Sequence, residues 1–542
     1  MEQSRTLQHN KPSLSVRRNS KQTTTVSGDG MYSFPGFLNF ISFHVGELTI
    51  SLFFLLLGYG IKLFGNTFSI DTQGIIQAPN SLYDSWFSLE RFGLVLFKQV
   101  TGTKYYNNSL ASFLMVSGLF VAAVAWSYLF SEGLDNKISY HPGVFVIIFV
   151  TSPILAEMLG FLLLGFEISV ASVLTVMSLM LVSNSARVTT VRKKIILLIL
   201  ATLLAVVAFS MYLAMTTLFV LATACVFLRR FQVRATSSSK RRQRWLFLGV
   251  HIAVFVVAYI GYSIANALAI YFANTTTNDY ISDQNRWGKD PIQQIFSVIG
   301  THSANLYAGD GIFYTKIFSV MAVIFLCGLL YKAIRGTGTV LSLVIGITIV
   351  LSPLMMTVIL GAVPSTRTEM TYPLAFAFIS MSVLEWLPRT PISRVAVALV
   401  CLAIGFNQGG IVNRIFYTED VVFQQDVLTA QEVKSDIDAL GFGETPSLPV
   451  VFVNNHVARC NRSCLPQASL GLTGRSMLEI GYSTAHGTGV KNGFIGATLG
   501  VTYNIPKSVS SFATAEDVAA TMPHWPTTGS VKVADNMIIV NF

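Results

Sequence analysis

Residues Gly46–Gly93 read GELTISLFFLLLGYGIKLFGNTFSIDTQGIIQAPNSLYDSWFSLERFG, and the change of character after Phe64 decides how the rest of the chain is understood. An apolar run of about 20 residues is long enough, as a helix, to cross a ~30 Å hydrocarbon core. Directly behind it come Asp71, Asp84, Glu90 and Arg91, four charges within a short polar and aromatic stretch. A first membrane span followed by a charged loop is the pattern to test against the rest of the sequence.

The rest of the 542-residue chain repeats it. Hydrophobic residues make up 52% of the chain and charged residues only 12%, with a mean hydropathy of +0.57, which is the composition of a polytopic membrane protein. Windows of membrane length occur near 46–65, 109–130, 143–163, 167–185, 195–211, 213–228, 245–271, 312–331, 338–360, 371–387 and 395–413, giving about eleven helices. The stretch 195–228 is long for one helix and short for two; basic clusters on both sides favour a hairpin. Two Ser-Pro pairs, in FVTSPILAEML and IVLSPLMMTVI, read as kinks more readily than as an inverted repeat.

Basic residues set the orientation. With the N-terminus in the cytoplasm, inward segments hold twenty-one Lys and Arg, including those of RVTTVRKK and RRFQVRATSSSKRRQR, and outward loops hold six. The formal net charge of +10 is then topology signal and contact with anionic membrane lipids, and nucleic acid is not an expected partner. The expected organisation is a disordered basic cytoplasmic tail (1–33), a membrane domain (34–413) with long outward loops at 66–108 and 272–311, and a small extracytoplasmic α/β domain (414–542). Trp86, Phe87, Trp287, Ile295 and Phe296 suggest partial helices inside the long loops. In the last region YTEDVVFQQDVLTAQEVKSDIDALG reads as a helix with a glycine stop, LPVVFVNN as a strand and GSVKVADNMIIVNF as a strand pair. Cys460 and Cys464, in CNRSC, are spaced for a short disulfide if this region meets an oxidising compartment.

Signatures of soluble nucleotide chemistry are missing: there is no Walker loop, dinucleotide fingerprint, HExxH or G-x-S-x-G. The eight histidines are scattered, so no metal site is expected, no cofactor is required and a divalent metal is optional. Candidate chemistry therefore lies with acids and cations at the outer surface. Asp71, in the turn SIDTQG, would sit at the headgroup boundary, where a partly buried carboxylate takes a proton from an attacking hydroxyl. From position alone, a solvated loop acid is the plainer reading. Arg91 is suited to forked phosphate binding or to snorkelling beside Glu90. Glu157, deep in an apolar window, calls for a polar cavity or partner. Arg286, among Asp279, Asp283, Lys289 and Asp290, and the pair Arg367 and Glu369 in PSTRTEM complete the candidate phosphate and sugar contacts.

The ordered run SIDTQGIIQAPNSLYDSWFSLERFGLVLFKQVTG, YNNSLASFL, SPILAEMLGFLLLGFEISVA and MPHWPTTGSVKVADNMIIVNF resembles the serotype-converting glucosyltransferases of the GtrII type, over about 47–542. That resemblance implies a GT-C-like membrane glycosyltransferase that moves a sugar, glucose in most members, from a polyprenyl-phosphate donor lipid onto a surface polysaccharide such as O-antigen, at the outer face of the bacterial inner membrane. It implies Asp71 as the general base, and it implies working alongside a flippase and a donor-synthesising transferase. A flippase of lipid-linked sugars, using Glu157 instead of Asp71, and a polysaccharide polymerase are the alternatives.

Overall fold

A computed structural model describes residues 32–131, 141–231, 238–278, 283–388 and 390–542. The tail before Tyr32, Lys137, Asp279, Arg389 and the middle of the basic run 229–244 lie outside these residues, as does the Asp84 side chain.

The polypeptide is predominantly helical. Helix α1 (Phe34–Phe43) starts where the Ser33 hydroxyl accepts from the Gly36 amide and Pro35 occupies the first turn, where its missing N–H costs nothing. After His44 the first apolar window forms α2 (Val45–Phe64). The loop behind it folds into α3 (Thr72–Gln77), α4 (Pro79–Ser88) and α5 (Phe92–Thr101), followed by α6 (Asn108–Phe130), capped by the Asn107 side chain. Helices α7 (Pro142–Val150) and α8 (Pro153–Leu159) meet at 56° across the first Ser-Pro pair. Proline removes a ladder hydrogen bond and clashes with the preceding turn, and this is the cause of the bend. Next come α9 (Leu162–Ser185), α10 (Val191–Met211), α11 (Met215–Phe231), α12 (Ser238–Phe272), α13 (Ile292–Ala308) and α14 (Lys316–Ile334). The second Ser-Pro pair produces a tight turn at Ser352–Leu354 between α15 (Val340–Leu351) and α16 (Met355–Leu360). Helices α17 (Thr371–Glu385) and α18 (Pro391–Asp438) complete the apolar part.

Among the described residues seven single helices, with α15 and α16 together as an eighth stretch, are long and apolar enough to cross a membrane, or nine if α7 and α8 make one broken span. Each of the eleven apolar windows coincides with helix, and 195–228 is the hairpin α10–α11, but α11 has 17 residues and α17 only 15. Both are short because they are wrapped in protein: every residue of α17 is buried. The expected boundary at 413/414 falls inside α18, a continuous helix of 48 residues, about 72 Å long at 1.5 Å per residue. The apolar half is long enough to cross a bilayer, and the helix continues past it as a polar half.

Three buried ion pairs tie these helices together: Lys62 with Glu419 at 2.7 Å, Lys98 with Glu167 at 2.6 Å, and Arg229 with Glu385 at 2.5 Å. They join α2 to α18, α5 to α9 and α11 to α17. Basic residues read from sequence as topology signals therefore also neutralise acids inside the bundle.

Beyond α18, Gly441 adopts φ 81° just past the helix end, the left-handed stop that glycine makes without strain. Strand β1 (Val450–Val453) pairs in parallel with β3 (Met537–Asn541), and β2 (Val531–Ala534) pairs antiparallel with β3. Asp535 and Asn536, both at positive φ, make the β2–β3 turn. Helix α19 (Thr484–Leu499) is held to β1 where Thr488 exchanges hydrogen bonds with the Phe452 backbone, and α20 (Val509–Ala519) covers the other face with Phe512 and Ala515 against Val451 and Ile539.

Candidate active site

Asp71 sits between Ile70 and Thr72, both buried, and is itself exposed. Its backbone is left-handed, φ 70°, a conformation that Asp tolerates better than most residues and that concentrates at functional sites. The twist turns one carboxylate outward from a buried turn. Among the described residues it has no side-chain hydrogen bond or ion pair. Loss of hydration nonetheless pushes its pKa above the ordinary value, opposed by the charges of Arg367, Arg91 and His486. The carboxylate is thus exposed at its surface yet partly dehydrated by the protein around it.

Cations from three other segments act on it. Arg91, at the start of α5, places its guanidinium 5.8 Å from the Tyr212 ring centre. Its neighbour Glu90, also left-handed at φ 62°, accepts a hydrogen bond from the Tyr262 hydroxyl at 3.3 Å. Arg367, between α16 and α17, lies 5.5 Å from the Phe161 ring centre and acts electrostatically on both Asp71 and Glu157. His486 comes from the first turn of α19. Asp71, Arg91 and Arg367, all candidates from sequence, are thus brought together. His486 was not among them, since nothing in the spacing of STAHG relates it to a loop at the other end of the chain.

The other candidates are placed elsewhere. Both Glu157 oxygens receive backbone N–H groups, from Leu472 at 2.6 Å and Thr473 at 3.2 Å, so this acid anchors the segment after α18 to the bent pair. Gly471 belongs to the same seat, because a Cβ there would lie 2.2 Å from a Glu157 oxygen. Glu157→Ala is therefore expected to leave two amides unpaired and cost about 1–3 kcal/mol. It should lower the melting temperature in detergent more than Glu157→Gln does; an unchanged melting temperature for the alanine variant would remove Glu157 from this anchoring role. Glu369 is fully buried, 3.2 Å from His302 Nε2 and accepting from the Tyr314 hydroxyl at 2.8 Å. Arg286 lies 3.8 Å from Asp290 in its own loop, and its amide donates to the Leu360 carbonyl. Cys460 and Cys464 are joined by a disulfide, and Arg414 of α18 donates to the Ser463 and Cys464 carbonyls.

Helix α3, with Asp71 at its head, is seated on α19. Gln77 donates to the Gly493 carbonyl and to the Thr502 hydroxyl, each at 3.3 Å. A Cβ at Gly493 would come within 2.9 Å of Gln73, so only glycine admits α3 this closely without a shift. No group of three or more His, Cys, Asp or Glu among the described residues is arranged to hold a metal ion. One acid facing cations from other segments, without a metal cluster, suits proton abstraction beside a bound anion.

A family model described as glucosyl transferase GtrII matches residues 60–407. The matched span takes in Asp71, Arg91, Glu157 and Arg367 and ends before His486; it is shorter than the stretch over which the motifs resemble that family. No curated protein and no solved structure matches the chain.

Proposed function

Since the chain belongs to the GtrII glucosyl transferase family, we propose that it transfers glucose from a polyprenyl-phosphate donor lipid to a surface polysaccharide of the O-antigen kind, at the outer face of the bacterial inner membrane, with Asp71 as general base. The observation that carries this reading is the Asp71 carboxylate itself: outward-turned, without a side-chain partner among the described residues, and within electrostatic reach of Arg91 and Arg367.

In the proposed reaction Asp71 accepts the proton of an acceptor hydroxyl as its oxygen bonds to the anomeric carbon. The bond from that carbon to the phosphate oxygen breaks, and the phosphate leaves with the electron pair. Arg91 and Arg367 face the growing negative charge, a fixed electrostatic contribution that needs no reorganisation during the step. Neither a nucleotide nor a metal enters the scheme. A coupled flippase and a donor-synthesising transferase would supply the lipid donor on this face. The carrier alternative leaned on Glu157, whose carboxylate is engaged by the Leu472 and Thr473 amides.

The test is mass analysis of surface polysaccharide from cells with and without the gene. A hexose added to each repeat unit only when the gene is present is the expected result. Polysaccharide of identical mass in both strains would overturn the proposal, and longer chains of unaltered repeats would point to a polymerase.

A further inference from the structure

Helix α19 carries His486, Gly489, Gly493 and Gly496 at intervals of three, four and three residues, which puts them on one face. Gly493 and Gly496 of that face meet Gln73 and Gln77 of α3, so the two helices run side by side in the same direction. Further toward the N-terminus of α19 the same face carries His486, whose charge acts on the Asp71 carboxylate. At Gly489, on the same face, an added Cβ would meet nothing within 4 Å. This face of α19 is open and exposed there. Next to it stands Tyr482, 85% exposed, with its ring centre 5.0 Å from that of His486.

The groups on the two sides of Asp71 differ in chemistry. Arg91 and Arg367 come from the loops of the apolar helices, where a lipid-borne phosphate arrives. Tyr482 and His486 come from the segment after α18 and bring a ring face and an imidazole. An apolar ring face suits the C–H face of a pyranose, and ring nitrogens exchange hydrogen bonds with sugar hydroxyls. We propose that Tyr482 and His486 form the acceptor platform of the Asp71 site, holding a neutral saccharide with one hydroxyl toward the carboxylate. This rests on the reading of Asp71 as the base. It also assigns acceptor choice to residues beyond the matched span 60–407, while the shared span handles the donor.

Full-length protein in detergent is assayed with labelled polyprenyl-phosphate glucose and with surface polysaccharide lacking the added hexose. Tyr482→Ala is expected to raise the acceptor KM about tenfold while the donor KM stays put, and Tyr482→Phe, which keeps the ring face, to recover most of the loss. Gly489→Leu, which fills the open space without a clash at Cβ, is expected to raise the acceptor KM as well. His486→Ala should do so to a smaller extent. A fall in kcat with both KM values unmoved, an unaltered acceptor KM, or a Phe variant as poor as Ala would each overturn the platform. Because Tyr482 is so exposed, its variants should keep the parent melting temperature, and a loss of acceptor affinity is then not a loss of fold. Asp71→Asn, run in parallel, separates the two ideas: retained transfer there removes the base, whereas the KM division at Tyr482 stands or falls by itself.

Discussion

Asp71→Asn is expected to reduce glucosyl transfer by roughly 10²–10⁴-fold, the range that a positioned general base supplies, without impairing insertion or folding. The amide fills the same volume at a position where the carboxylate has no side-chain partner among the described residues to lose. Stability should even rise slightly. Folding raises the Asp71 pKa above its ordinary 3.8, so between these two values the folded chain binds more protons than the unfolded one. Stability then falls as pH rises through that window, and at neutral pH the ionised carboxylate is a net cost that asparagine does not carry. Activity runs the other way, since only the ionised form accepts a proton: transfer should decline as pH drops through the raised Asp71 pKa. Transfer rate against pH, together with melting temperature in detergent, checks both halves. A variant that is inactive and less stable than the parent would mean that Asp71 holds the loop together rather than serving the reaction.

The second large effect is expected at Lys62, one turn from the end of α2. Its ammonium donates to both Glu419 oxygens at 2.7 Å and to the Thr67 hydroxyl at 3.2 Å, with Lys62 and Glu419 both buried. Lys62→Met leaves Glu419 buried without its cation, and removing one partner of such a pair costs about 3–5 kcal/mol. The variant should melt well below the parent and lose transfer, because Thr67 lies on the strand of chain that leads to Asp71. Replacing both partners, Lys62→Met with Glu419→Leu, removes the unpaired charge and should recover much of the stability. Equal melting temperatures for Lys62→Met and the parent would show the pair to be dispensable. The Lys98–Glu167 pair supports the same loop from its other end, at α5.

Much of this architecture was legible because its causes are local. A helix that crosses a hydrocarbon layer needs about 20 apolar residues whatever surrounds it, so the windows announced their helices. Pro153 and Pro353 bend or interrupt their helices by lacking an N–H, a property of the residue itself, and Gly441 ends α18 for an equally local reason. Lengths were less legible: α11 and α17 are sheltered by protein rather than lipid, and nothing in their composition reports that. Asp71 was singled out by the resemblance of its loop to the GtrII family, since from position alone a solvated acid is the plainer reading, and Arg91 and Arg367 by lying on the same outward side.

What the amino-acid order determined by itself, then, is the apolar helices, the three strands, where two Ser-Pro pairs bend or interrupt a helix, and which charges stand at the ends of apolar segments, since these depend on hydration and backbone sterics over a few residues. Only the tertiary structure decided what those charges meet. Glu157 ends on the amides of Leu472 and Thr473, Glu369 lies between His302 and Tyr314, and Lys62 reaches Glu419 across the chain. His486 acts on Asp71 from α19, where glycines let α3 pack closely. Each of these pairings depends on the packing of segments far apart in sequence, and a buried charge accepts whichever complementary partner that packing delivers.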